Sequence, residues 1–359
     1  MPLPFLLAGA AAVAGLAGVA KGVEAMSANE EAKELLDEAK EIFDSAKEEM
    51  ELSKEEAAYA LAELGKKKLL IWDKQFGKFT SLVGRLKNVS VDGKAAVDEK
   101  LYKAITENEL GQMKEMSLKA GEIVSGGVTS LGAGALAGVA SYGGAMMFAS
   151  ASTGTAISTL SGAAAANATM AWFGGGSLAA GGLGVAGGTA VLGGIVAGPV
   201  FAIGGMIMAS KAKANLAEAK KKYAQAEEAA EEMNNASSML NAITKLSEQF
   251  YYTIDELDGK MTVTLNNLES MLVNFENSKE RSFGFKFKKF FAGLVGKKMT
   301  LDYDELTDNE KRLIHTSYQI AQVMKAILER PILKQDGAID PEAKKVLGPA
   351  KTIQSLPAA

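Results

Sequence analysis

Chemistry needs particular side chains within reach of one another, and this sequence offers few. It contains one histidine, His315, and no cysteine. A Ser-His-Asp triad or a multi-histidine metal site has little to work with, and disulfides, thiolate metal sites and a cysteine nucleophile are excluded. A lone histidine is far more often structural than a ligand, and His315 is read so. Two glycine-rich stretches imitate nucleotide-binding motifs. Gly182-Leu183-Gly184-Val185-Ala186-Gly187 fits G-x-G-x-x-G, but no strand precedes it and no acidic residue follows about twenty positions on. Gly293-Leu294-Val295-Gly296-Lys297-Lys298 has the wrong spacing for a phosphate-binding loop. No catalytic, cofactor or metal constellation is expected, so an enzyme is the least expected class.

The residues that remain as candidates are interfacial in kind. In Ser282–Phe291, Phe283, Phe285 and Phe287 alternate and Lys286, Lys288 and Lys289 are interleaved. Aromatics with lysines suit a membrane interface; they also suit a hinge packed on a helical bundle. Trp72 and Phe76 belong to a second such stretch, flanked by Lys66, Lys67, Lys68, Lys74, Lys78, Arg85 and Lys87. A basic amphipathic helix can lie on an anionic membrane, and a core stripe with solvated lysines reads the same way. The net charge of −4 argues against nucleic acid as a partner.

These stretches flank the dominant feature of the chain. From Ile123 to Ser210 there is no Asp, Glu, Lys, Arg or His. At the chain's 23% charged share, about twenty charges would be expected there. A bilayer or a core of closely packed helices tolerates such a run. It reads as three helical pieces, 123–150, 155–173 and 177–210, the first and third long enough to cross a bilayer. Breaks fall at Ser152-Thr153-Gly154 and Gly174-Gly175-Gly176. Pro199 can kink the last piece. Gly134 and Gly138, Gly184 and Gly188, and Gly194 and Gly198 recur at spacing four, which brings helix backbones together. These glycines, with Trp172 and Pro199, are the candidate insertion and helix-packing residues. Ala and Gly contribute little transfer energy, so the run is expected to live either in a protein interior or in lipid.

The flanks are built to hold it. Residues 1–22 form an apolar N-terminal segment, uncharged over 1–20 and lacking the basic start of a secretory signal; it reads as a membrane-touching anchor, a buried helix or a cleaved signal. Residues 23–122 are amphipathic helices. Ser27 and Glu30 predict a capping box, followed by a seam at Ala28, Ala32, Leu35, Ala39, Ile42, Ala46, Met50, Ser53, Ala57, Ala60 and Leu64. The stripe continues to Leu86, Asp92-Gly93 marks a turn, and a second helix is expected over 95–122. Residues 211–281 predict one long helix, weakened after Ile243 and at Gly259, that pairs with the first. Residues 282–359 hold the Phe/Lys stretch and a C-terminal helical region. There, Thr307 and Glu310 form a capping box, Asp340-Pro341 starts a last helix and Gly348-Pro349 ends it.

The expected fold is all-α: an elongated helical bundle or coiled coil with a central Gly/Ala-rich hydrophobic hairpin. This layout resembles the α-helical pore-forming toxins of the cytolysin A and haemolysin BL type, over roughly residues 1–280. The resemblance implies a bundle that rearranges to put an apolar hairpin into a membrane. The stretch Ser161–Gly184 also resembles a glycine-rich signature of uncharacterised bacterial proteins, implying a bacterial source. The leading expectation is a non-enzymatic, pore-forming protein, with lipid and a homo-oligomer or a helical protein as partners. It would exist as a cytoplasmic or released soluble form that associates with membrane. The alternatives are a membrane-anchored coiled-coil tether and a soluble helical interaction module.

Overall fold

The computed structural model describes residues 21–87, 89, 105–126, 133–142, 216–280, 301–334 and 338–354. The N-terminal segment 1–20, the pieces 155–173 and 177–210, the Asp92-Gly93 turn and the Phe/Lys stretch 282–291 lie outside them. The described residues are almost entirely helical, and the fold class is all-α. The helices are α1 (Lys21–Leu70), α2 (Gly77–Val83), α3 (Glu107–Ser125), α4 (Ala133–Tyr142), α5 (Leu216–Glu280), α6 (Asp308–Glu329) and α7 (Leu347–Gln354). A π-helical turn, Ile71–Phe76, joins α1 to α2. Strands β1 (Leu86–Lys87) and β2 (Leu301–Asp302) form a short parallel pair, Leu86 against Leu301.

The chain divides into two compact units, one of Met1–Glu49 with Gly198–Asn234, the other of Met50–Ala197 with Asn235–Ala359. In the first, α1 buries Ala32, Leu36, Ala39, Phe43 and Ala46, and α5 buries Ala219, Lys222, Ala226, Ala229 and Met233. The steps alternate between three and four, the 3.5-residue period of helices that wrap one another. The seam expected from the sequence includes Leu35 and Ile42. Both are half-buried, and Leu36 and Phe43 take those places. Glu31 meets Lys220 at 3.7 Å, and Tyr223 donates to Glu38 at 3.5 Å. The partner's number rises with the residue's own, so the two helices run parallel.

The second unit repeats this sense. Lys67 pairs with Asp255 and Asp258 at 2.5 and 2.9 Å, Lys78 with Glu269 at 2.6 Å, and Arg85 with Glu276. Burial works against the Lys67 ammonium, but its hydrogen bonds to Asp255 and Asp258 outweigh that and raise its pKa. The expected weakening after Ile243 is absent. Ser247 is fully buried in the seam and its hydroxyl donates to the Ile243 carbonyl at 2.8 Å, so a polar residue passes through the core with its bond satisfied. A simple hairpin leaves its two helices antiparallel. Here they are parallel, and α3 runs antiparallel to the π-helical turn and α2: its Ser117 and Gly121 face Gly77 and Asp73.

Several sequence-predicted boundaries move. Ser27 lies inside α1, which already spans Lys21, so it is not an N-cap. The second helix starts at Glu107, where Thr106 and Glu109 form a reciprocal capping box. The Thr307–Glu310 box starts α6 as expected. Gly348 and Pro349 do not end the last helix. They lie in the first turn of α7, where a proline's missing N–H has no intrahelical partner to lose.

The parallel register is checked by cross-linking, since the chain has no native cysteine. A short bismaleimide should join Lys67→Cys to Asp258→Cys and, separately, Arg85→Cys to Glu276→Cys. It should leave Lys67→Cys with Glu276→Cys unlinked.

Candidate functional site

The described part of the uncharged run supplies the candidate site, the seat of α4. Ile123–Ser125 complete α3, which ends at Gly126. The chain then re-enters the core as α4, only ten residues long. The expected continuous helix over 123–150 is therefore broken near its start. Leu136, Ala137, Val139, Ala140 and Ser141 of α4 are buried. Gly134 and Gly138 lie on this helix, one turn apart.

Three parts of the second unit hold α4. The first is Gly65 of α1, where a Cβ would run into the carbonyl oxygen of Leu136. Glycine costs an exposed helix interior about 1 kcal/mol relative to alanine, and here it allows backbone to approach backbone. The second is Lys68, one turn further on. Its side chain is 1% exposed, and its Nζ donates to the carbonyls of Ala140 at 3.2 Å and Arg330 at 3.3 Å. Both carbonyls belong to helix C-termini, α4 and α6, which leave their last carbonyls without intrahelical partners. The Phe250 ring of α5 lies 5.6 Å from Nζ, within cation–π range. The third part is the backbone after α6, where the N–H groups of Ile332 and Leu333 donate to the Ser141 carbonyl at 2.7 and 3.1 Å.

Electrostatically the seat is unusual. Lys67 has two carboxylates and a raised pKa; its neighbour Lys68 has no ion pair among the described residues. Burial alone brings Lys68 down to about 7. Around the seat, Arg330 pairs with Asp340 at 2.8 Å, and the Ser141 hydroxyl is buried without a hydrogen-bond partner among the described residues.

The sequence-predicted residues fall in three groups. Gly134 and Gly138 are in α4. Trp172, Gly184, Gly188, Gly194, Gly198, Pro199, Phe283, Phe285, Lys286, Phe287, Lys288 and Lys289 lie outside the described residues. Trp72 and Phe76 sit here as the core-stripe alternative has them. They are 1% and 0% exposed. Their rings lie 4.3 Å apart, and the contact extends through Phe79 to Tyr318 of α6. The π-helical turn places both on one inward face, and three of the flanking basic residues, Lys67, Lys78 and Arg85, pair with carboxylates of α5, while Lys74 and Lys87 are exposed. His315 is buried with Nε2 2.6 Å from the Tyr303 hydroxyl. Among the described residues no cluster of three or more acidic or histidine side chains is placed to hold a metal ion.

Sequence reasoning missed Gly65, Lys68, Ser141 and Arg330. Two of them left a signal. Lys68 follows Leu61 and Leu64 at seam spacing, a lysine where an apolar residue belongs. Gly65 interrupts an otherwise strong helix former. No protein-family model, curated protein or solved structure matches the chain.

Gly65→Ala is expected to destabilise the fold by about 1–3 kcal/mol through overpacking against α4. Gly259→Ala, where a Cβ would meet nothing within 4 Å, should stabilise it by about 0.5–1 kcal/mol. Urea-denaturation midpoints moving in opposite directions would bear this out; equal shifts would not.

Proposed function

We propose that this is a non-enzymatic helical protein that moves its uncharged run from a protein seat into a lipid bilayer, where copies assemble into a pore. The observation that carries the reading is the run itself: no ionisable residue other than tyrosine from Ile123 to Ser210. Nothing in a helical scaffold requires such purity, whereas each Lys, Arg or Asp at the centre of a spanning helix costs about 2.5–3.5 kcal/mol. The seat of α4 supports it too, because a run destined for lipid needs somewhere to wait in water. Among the described residues no helix is long and apolar enough to cross a membrane. At ten residues, α4 is about half the length a span needs, so α4 as it stands does not cross a bilayer by itself.

A second reading has one observation in its favour. Five residues of α4 are already buried in protein, as expected of a soluble helical interaction module whose uncharged run is permanent core.

Liposome flotation combined with dye release separates these readings. The proposal predicts that the full chain floats with anionic vesicles and releases dye under some activating condition. Ile195→Lys, a charge placed within the run, should abolish both. Flotation without leakage would favour a membrane-anchored tether. Neither flotation nor leakage under any condition tried would leave the soluble module.

A further inference from the structure

We propose that Lys68 is a proton-operated latch on α4: as a neutral amine it holds the first helix of the uncharged run in the core, and on taking up a proton it lets that helix go. This rests on the reading of the run as a mobile element, and it adds what controls its release. The geometry is that of a coupling point. One side chain ties α4 through Ala140 and the end of α6 through Arg330, at 3.2 and 3.3 Å, while its stem leaves α1 one turn from the Gly65 contact. A neutral amine has two N–H groups and satisfies both carbonyls. A third proton adds a charge to a buried group that no carboxylate among the described residues balances.

Among the described residues, the charged groups flanking the site on α1 and at the end of α6 pair elsewhere. On α1, Lys66 pairs with Glu63 and Lys67 with Asp255 and Asp258. On α6, Lys325 pairs with Glu329, and Arg330 beyond it pairs with Asp340. α4 carries no charge, and Tyr142 is its only titratable residue. α5 offers the Phe250 ring, which favours the cation without neutralising it.

The sign follows from linkage. Burial lowers the docked pKa to about 7 from an ordinary 10.5. With α4 released and water admitted, Lys68 returns towards the ordinary value. Above pH 10.5 both forms are neutral and docking is strongest. Between about 10.5 and 7 release takes up one proton, so docking weakens as pH falls. Below about 7 both forms are protonated and this group adds no further dependence.

Thiol trapping on the full chain, without lipid, tests the latch. Ala137→Cys places a single buried thiol on α4, and its reaction rate with a methanethiosulfonate reagent, divided by the rate in urea, reports opening. Relative opening should fall with rising pH between 7 and 9.5, by up to about tenfold per pH unit, and be flat from pH 5.5 to 7. In the same background Lys68→Met should be flat throughout. Lys68→Gln, which keeps a donor without the titration, should be flat as well and covers the case in which the methionine variant fails to fold. Ala321→Cys, buried on α6, should lack the slope. A flat profile with Lys68 present, a slope retained in a folded Lys68 variant, or the same slope at position 321 would each overturn the latch. The last would mean that the whole unit opens. No vesicles are present, so failure here leaves the membrane reading standing, and failure of flotation leaves the latch standing.

Discussion

A helix without charged side chains still carries charge at its ends. Its last carbonyls have no partners within the helix, and burying them bare costs a few kcal/mol each. α4 meets this constraint with groups borrowed from outside the run: the Lys68 Nζ on one carbonyl and two backbone N–H groups on the next. Much else in the second unit is arranged around those bonds. Gly65 brings α1 close enough for Lys68 to reach, the end of α6 turns at Arg330 so that Ile332 and Leu333 face α4, and Phe250 of α5 closes over the lysine.

The parallel pairing of α1 with α5 sets the frame for that seat. Ion pairs open to solvent contribute little, typically below about 1 kcal/mol; these exposed and half-buried pairs fix the register, while the apolar seam supplies the stability. The same pairing accounts for the lysines beside Trp72 and Phe76. A stripe of aromatics flanked by cations is equally compatible with lipid and with an acidic partner helix. In this structure the carboxylates of Asp255, Asp258, Glu269 and Glu276 engage Lys67, Lys78 and Arg85.

Much of this was legible in the sequence. Helical class, the long flanking helices, the Thr307 cap and the uncharged run follow from composition, periodicity and cap chemistry, which are local. Direction of pairing is not local: a 3.5-residue seam fits parallel and antiparallel partners alike, and only cross-helix contacts choose. The π-helical turn at Ile71–Phe76 is likewise invisible to a 3.6-residue pattern. Lys68 was hidden by its neighbours, because three lysines in a row read as solvated surface. Its place on the seam was the better guide: burial disfavours the charge on both adjacent lysines, and the net shifts differ because Lys67 has the carboxylates of Asp255 and Asp258 in reach.

The central claim is that α4 exchanges a protein seat for lipid. The most direct measurement is fluorescence from an environment-sensitive label on Ala137→Cys, with vesicles carrying nitroxide-labelled acyl chains. The account predicts that vesicle binding exposes the label to the nitroxides and quenches it. A label that stays unquenched on bound vesicles, and as shielded from water as before, would contradict it.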